Sequence, residues 1–137
     1  MTTEEFTALK AKAAEEIKFD KTDAMEKCQN VPSLYQHWLD VFNRESAKYA
    51  QLQLMQEKMY GELYEIYKYN KNLKWETQKE IESQIKRNEN YVKLAVELAK
   101  QKVIVDWLQE TLGNINRLGF SINSYLNFLK YQGGFGM

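Results

Sequence analysis

Residues 107–129 constrain this chain most, because they carry only two charged side chains, Glu110 and Arg117, over a length sufficient for several helical turns. Read as a helix, Leu108, Leu112, Ile115, Ile122, Leu126 and Leu129 recur at the three-and-four spacing of one face. Trp107, Leu118, Tyr125 and Phe128 occupy a second face. Two apolar faces need two partners, and a chain of 137 residues offers little other protein to cover both. The pattern predicts self-assembly, with Trp107, Leu108, Leu112, Ile115, Leu118, Phe120, Ile122 and Leu126 at the seam between subunits.

Composition enters as a set of exclusions. With 44% hydrophobic and 28% charged residues the chain is neither disordered nor membrane-spanning in character. Nineteen basic residues balance nineteen acidic ones, so no global field draws it to nucleic acid or to an anionic membrane, and any such contact must come from a local patch. The single cysteine, Cys28, rules out an internal disulfide and a cysteine-rich metal site, as suits a reducing cytosol. Met1 to Glu5 lacks the basic start and apolar run of an export signal, and no stretch reaches the roughly 18 uninterrupted apolar residues of a spanning helix. The expectation is a soluble cytoplasmic protein. Six glycines and one proline are too few for a fold of many tight turns, so the predicted class is all-α.

The periodicity predicts one helical domain over residues 1–137. Short N-terminal helices occupy 1–31, the first capped by Thr3 with Glu4 and Glu5 in its opening turn, the second carrying Ala24, Met25 and Cys28. Pro32 is tolerated near a helix start, so a long helix is predicted over 32–69, with Leu34, Trp38, Phe42, Glu45, Tyr49, Leu52, Met59, Leu63 and Ile66 at heptad-like spacing. Met55 and Met59 stand near Tyr60 and Tyr64 at core spacing, so packing is their expected role. A basic aromatic loop follows at 70–77. Thr77 and Glu80 have capping-box spacing and open a returning helix that merges with the oligomerisation segment over 78–131. In that helix Ile81, Ile85 and Val92 make one stripe, and Leu94, Leu98, Val105 and Leu108 make another. Gly113 and Gly119 are candidate breaks, and residues 132–137 read as a flexible tail. The predicted architecture is a long helical hairpin with an apolar C-terminal segment, closed into a cyclic homo-oligomer.

One local patch stands out chemically. Residues 67–75 interleave Lys68, Lys71 and Lys74 with Tyr67, Tyr69 and Trp75 and contain no acidic residue. Single-stranded nucleic acid offers phosphates to the ammonium groups and exposed base faces to the rings, with stacking worth roughly 1–3 kcal/mol per base. The structural alternative is a solvated hairpin tip. Copies of the patch repeated around an oligomer would make a weak single contact strong. Lys86 and Arg87, near Lys79, form a second basic cluster, but Glu80, Glu82 and Glu89 lie within helical pairing distance and could neutralise it. His37 stands alone beside Trp38 without a second ligand at metal spacing. The carboxylates fall on charged helix faces, and neither a phosphate-cradling glycine loop nor a nucleophile elbow is present. No catalytic, metal or cofactor site is nominated.

Two stretches resemble the UvsY-like recombination mediators of T-even-like tailed phages. Asn30-Val31-Pro32-Ser33-Leu34-Tyr35-Gln36-His37-Trp38-Leu39 matches that family's Leu-Tyr-x-x-Trp-Leu signature at Leu34, Tyr35, Trp38 and Leu39. Asn116-Arg117-Leu118-Gly119-Phe120-Ser121-Ile122 is similar to its Arg-Gly-Phe-Ala-Ile type signature at Gly119, Phe120 and Ile122. The order of elements corresponds over most of residues 15–131, and the chain length agrees.

The resemblance implies a non-enzymatic, ring-forming helical protein that binds single-stranded DNA, loosens the single-strand-binding protein and helps load a RecA-like recombinase. Its location would be the host cell cytoplasm if phage-encoded. One departure matters: the family's Leu-Lys-Ala-Arg-Leu-Asp-Tyr-Tyr stretch, whose basic pair contacts DNA, falls on residues 60–67, where Gly61 and Leu63 replace both basic residues. Glu65 and Tyr67 still fit. The DNA contact is therefore expected from neighbouring Lys58 and from Lys68, Lys71 and Lys74, aided by Tyr67, Tyr69 and Trp75. The competing reading is a helical adaptor or structural assembly protein without nucleic-acid binding.

Overall fold

A computed structural model of the chain describes residues 1–20, 23–69 and 77–135, the last three without their side chains. Its elements in order are α1 (Thr3–Ile17), α2 (Ala24–Tyr69), α3 (Gln78–Arg87) and α4 (Glu89–Phe135). All regular structure among the described residues is helical, as the composition predicted.

α1 starts one residue earlier than Thr3 would place it. Thr2 is the cap: its hydroxyl accepts from the Glu5 backbone N–H at 3.1 Å, and the Glu5 carboxylate accepts from the Thr2 N–H at 3.1 Å. The reciprocal box needs a carboxylate three residues on, which Thr2 has in Glu5 and Thr3, facing Phe6, does not.

α2 is one helix of 46 residues with Pro32 inside it, where a break had been expected. An interior proline removes the hydrogen bond to the carbonyl of Cys28 and costs about 3 kcal/mol. Burial on both sides of it offsets this. Ala24 is buried, and Cys28, Val31 and Leu34 pack with Leu118, Ile122, Tyr125 and Leu126 of α4. Each well-buried aliphatic side chain contributes about 1.5–3 kcal/mol.

The chain divides into two compact units, Met1–Asn43 with Asp106–Met137, and Arg44–Val105. In the first, α1, the start of α2 and the C-terminal part of α4 share a core of Ala13, Ala24, Trp38, Val41, Leu108, Leu112, Ile115, Leu118 and Ile122. Trp38 is completely buried, and its indole N–H donates to the Glu16 carboxylate at 2.8 Å. The Trp38 ring meets Trp107 edge-on at 5.9 Å, and Trp107 meets Phe6 at 5.5 Å, so aromatic contacts run from α2 through α4 to α1. Thr111, also buried, donates to the Trp107 carbonyl one turn back.

Within the single chain this core already covers much of the apolar surface of residues 107–129. Leu108, Leu112, Ile115, Leu118 and Ile122 are buried by the chain itself, because α1 and α2 supply the cover that the two apolar faces demanded. Trp107 and Leu126 are half-buried, and of the expected seam residues Phe120 alone is exposed, at 74%. Neither Gly113 nor Gly119 breaks α4, which continues for 47 residues into the expected tail. A glycine costs a helix interior about 1 kcal/mol, less than the leucines and isoleucines around it gain by burial.

In the second unit α2 and α4 run antiparallel, pairing Glu45 with Gln101 and Tyr60 with Tyr91. α3 opens as expected, with the Thr77 hydroxyl accepting from the Glu80 N–H at 3.2 Å. It ends at Asn88, whose backbone is extended, and Ile81 and Ile85 are its buried residues. Asn88 then caps α4, its side-chain oxygen accepting from the N–H groups of Asn90 and Tyr91. The helix phase is reset there. Leu94 and Leu98 turn inward, while Val92, read as continuing the Ile81 and Ile85 stripe, is 44% exposed. Ile66 and Met55 are likewise exposed, and Tyr67 turns partly inward.

Candidate nucleic-acid interface

The end of α2 places Tyr60, Tyr64 and Lys68 four residues apart, hence one above another on a single face. The Tyr60 and Tyr64 rings stack with centroids 6.5 Å apart and planes 22° from parallel. The Lys68 ammonium lies 5.8 Å from the Tyr64 centroid and 5.5 Å from that of Tyr69, whose side chain is largely exposed. A cation held over two ring faces keeps its charge available to a phosphate while the rings remain flat surfaces for bases. Partial burial and the neighbouring Glu82 carboxylate, to which the phenol donates, push the Tyr60 hydroxyl above its ordinary value. Tyr60 is thereby tied to α3 as a neutral donor.

The remaining expected DNA-binding residues differ in position. Tyr67 is half-buried, and its hydroxyl accepts from the Asn88 side-chain amide at 3.0 Å, which makes it a fixed post beside Lys68. Lys58 is exposed but lies 4.0 Å from Glu62 one turn on. Lys71, Lys74 and Trp75 lie outside the described residues. Where the resembled family carries its basic pair, Gly61 has open space around it and Leu63 is half-buried. Sequence reasoning missed Asn88; its signal was an asparagine followed by Glu89 in a helical pattern, a usable cap.

One buried ionisable group stands near the other end of the second unit, away from these rings. Glu45 is 1% exposed, and the Gln101 amide donates both to its carboxylate at 2.7 Å and to its backbone carbonyl at 2.9 Å. Burial pushes its carboxyl up, but the hydrogen bonds from Gln101 and Lys48 and the charge of Lys48 together outweigh that and hold it below its ordinary value of 4.5. Among the described residues no group of histidine, cysteine and carboxylate side chains is arranged to hold a metal, and no helix is long and apolar enough to cross a membrane.

The sequence model of the family described as recombination, repair and ssDNA binding protein UvsY matches residues 12–135. The chain belongs to the UvsY family. That places it among recombination, repair and single-stranded-DNA-binding proteins. Crystal structures of the recombination mediator protein UvsY of bacteriophage T4 share the UvsY fold with it. Lattice type II superposes with a TM-score of 0.82 at 14% identity, covering 97% of this chain and 98% of that one. Lattice type IV gives 0.80 at 14% identity over 93% and 98%, and lattice type I gives 0.77 at 14% over 91% and 98%. No curated protein sequence matches significantly.

Proposed function

We propose that this UvsY-family protein is a recombination mediator: a non-enzymatic homo-oligomer, built as a ring, that holds single-stranded DNA, helps displace the single-strand-binding protein and loads a RecA-like recombinase. The observation that carries the DNA-binding part is the exposed Lys68 ammonium over the Tyr64 and Tyr69 rings in a chain of this family. Lys58, Lys71, Lys74 and Trp75 extend the same patch in sequence. Binding energy from many weak contacts, without nucleotide hydrolysis, drives the exchange.

Self-assembly is supported by apolar surface that the chain leaves open. In the second unit Val92, Val96 and Val103 fall on one face of α4 and are 44%, 47% and 58% exposed. In the first unit Phe120 and Tyr131, on one face, are 74% and 67% exposed, with Phe128 beside them at 55%. Exposed aromatic and branched residues in such rows suit a subunit seam. The seam is accordingly assigned to Phe120 and these neighbours, in place of the five residues the chain buries.

Fluorescence anisotropy with labelled single-stranded and duplex oligonucleotides across a salt series, run beside light scattering, tests this reading. The expected result is an oligomer that prefers single strands with a steep salt dependence. An assembled protein that binds neither nucleic acid would instead establish the helical adaptor.

A further inference from the structure

We propose that the outward face of α3, formed by Lys79, Ser83, Lys86 and Arg87, is a second phosphate-binding strip for single-stranded DNA. The inference rests on the DNA-binding reading above and adds a site on a different helix. At 100° per residue these four positions fall within about a third of a turn of one another, opposite the buried Ile81 and Ile85. All four are exposed.

Two of the three carboxylates that the sequence offered as neutralising partners, Glu82 and Glu89, are engaged elsewhere. Glu82 is half-buried, accepts from Gln78 at 3.3 Å and takes the Tyr60 phenol, while Glu89 lies 3.6 Å from Lys93. Among the described residues no ion pair engages Lys79, Lys86 or Arg87, whereas Lys58 has Glu62 beside it. Two cations in the last turn of a helix are favoured by its dipole, which alone would explain Lys86 and Arg87. Lys79 in the first turn runs against that preference and yet completes the same face, so the dipole does not account for the strip.

Position supports the assignment. Lys86 and Arg87 immediately precede Asn88, whose amide holds the Tyr67 hydroxyl at 3.0 Å, and Lys68 follows Tyr67 on α2. The clamp therefore ties the C-terminal end of α3 to the cation and aromatic rings of α2 within the same compact unit. On this reading the backbone of a strand stacked on Tyr69 continues across the Tyr67–Asn88 contact to the α3 cations.

The test is a salt series of anisotropy titrations with a fluorescein-labelled dT oligonucleotide on the assembled protein. The triple variant Lys79→Gln, Lys86→Gln, Arg87→Gln should lessen the slope of log affinity against log salt by about 2, at about 0.7 per phosphate contact. The loss of affinity between about 50 and 200 mM salt should then be about twentyfold smaller than in the wild type. A control removing the same charge elsewhere, Lys100→Gln, Lys102→Gln, Lys130→Gln, should retain the wild-type slope. Lys79→Gln alone, which relieves a cation from the start of a helix and so leaves folding intact, should lower the slope by about 0.7. Wild-type slopes in the single and triple variants, or an equal change in the control, would overturn the strip while leaving the α2 patch standing. A wild-type protein with no salt-dependent affinity for the oligonucleotide would overturn the DNA-binding reading itself.

Discussion

Asn88 donates its side-chain amide to the Tyr67 hydroxyl at 3.0 Å while its side-chain oxygen caps the first turn of α4. One residue thus ends α3, starts α4 and fixes the last turn of α2 beside Lys68. Asn88→Ala should lower stability by about 1–2 kcal/mol through the lost cap and the lost hydrogen bond together. Tyr67→Phe should cost about 1 kcal/mol, because the cap survives. Denaturant melts of both single variants and the double variant check this: the double variant should be less destabilised than the sum, and strict additivity would show that the two roles of Asn88 are independent.

Glu45 predicts an acid limb. Its folded-state carboxyl is held below the ordinary value of 4.5, so its contribution is fully present above that value and is lost as pH falls through the lowered one. The wild type should therefore lose thermal stability below about pH 4.5 more steeply than Glu45→Gln, which carries no titrating proton. Gln101→Leu should cost about 2–3 kcal/mol at neutral pH by stranding the buried carboxylate. Parallel pH–stability profiles for wild type and Glu45→Gln would count against Glu45 as the group responsible.

Burial separates folding from assembly on α4. Ile115→Asp places an unpaired carboxylate at a position with 0% exposure and should unfold the first unit, read as lost helicity. Phe120→Asp with Phe128→Asp alters exposed side chains and should leave helicity intact while reducing the oligomer in light scattering. An undiminished oligomer in the folded double variant would move the seam away from this end of α4.

The α2 patch should divide charge from stacking. Lys68→Ala should reduce the salt slope for single-stranded DNA by about 0.7, whereas Tyr69→Ala should weaken binding by roughly 1–3 kcal/mol with the slope unchanged. Anisotropy titrations at several salt concentrations distinguish the two. Identical behaviour of both variants would argue against a stacked strand at this end.

Much of the molecule was legible along the chain because its determinants are local. Few glycines and one proline, three-and-four apolar spacing, and the Thr77 cap required helices where helices occur, and Leu34, Trp38 and Leu39 carried the family resemblance. That Lys68 and Tyr69 stand together was legible for the same reason, since adjacent residues at a helix end are neighbours whatever the rest of the fold does. Periodicity defines faces, however, and does not say what covers them. Only the tertiary structure decided that α1 and α2 bury Leu108, Leu112, Ile115, Leu118 and Ile122, leaving Phe120 outside. It also decided that Pro32 stays within a helix, that Asn88 resets the phase so that Val92 faces out, and that Gln101 satisfies a buried Glu45 from 56 residues away. Each of these is settled by contacts between residues distant in sequence, whose burial and hydrogen-bonding energies exceed the local preferences that sequence patterns record.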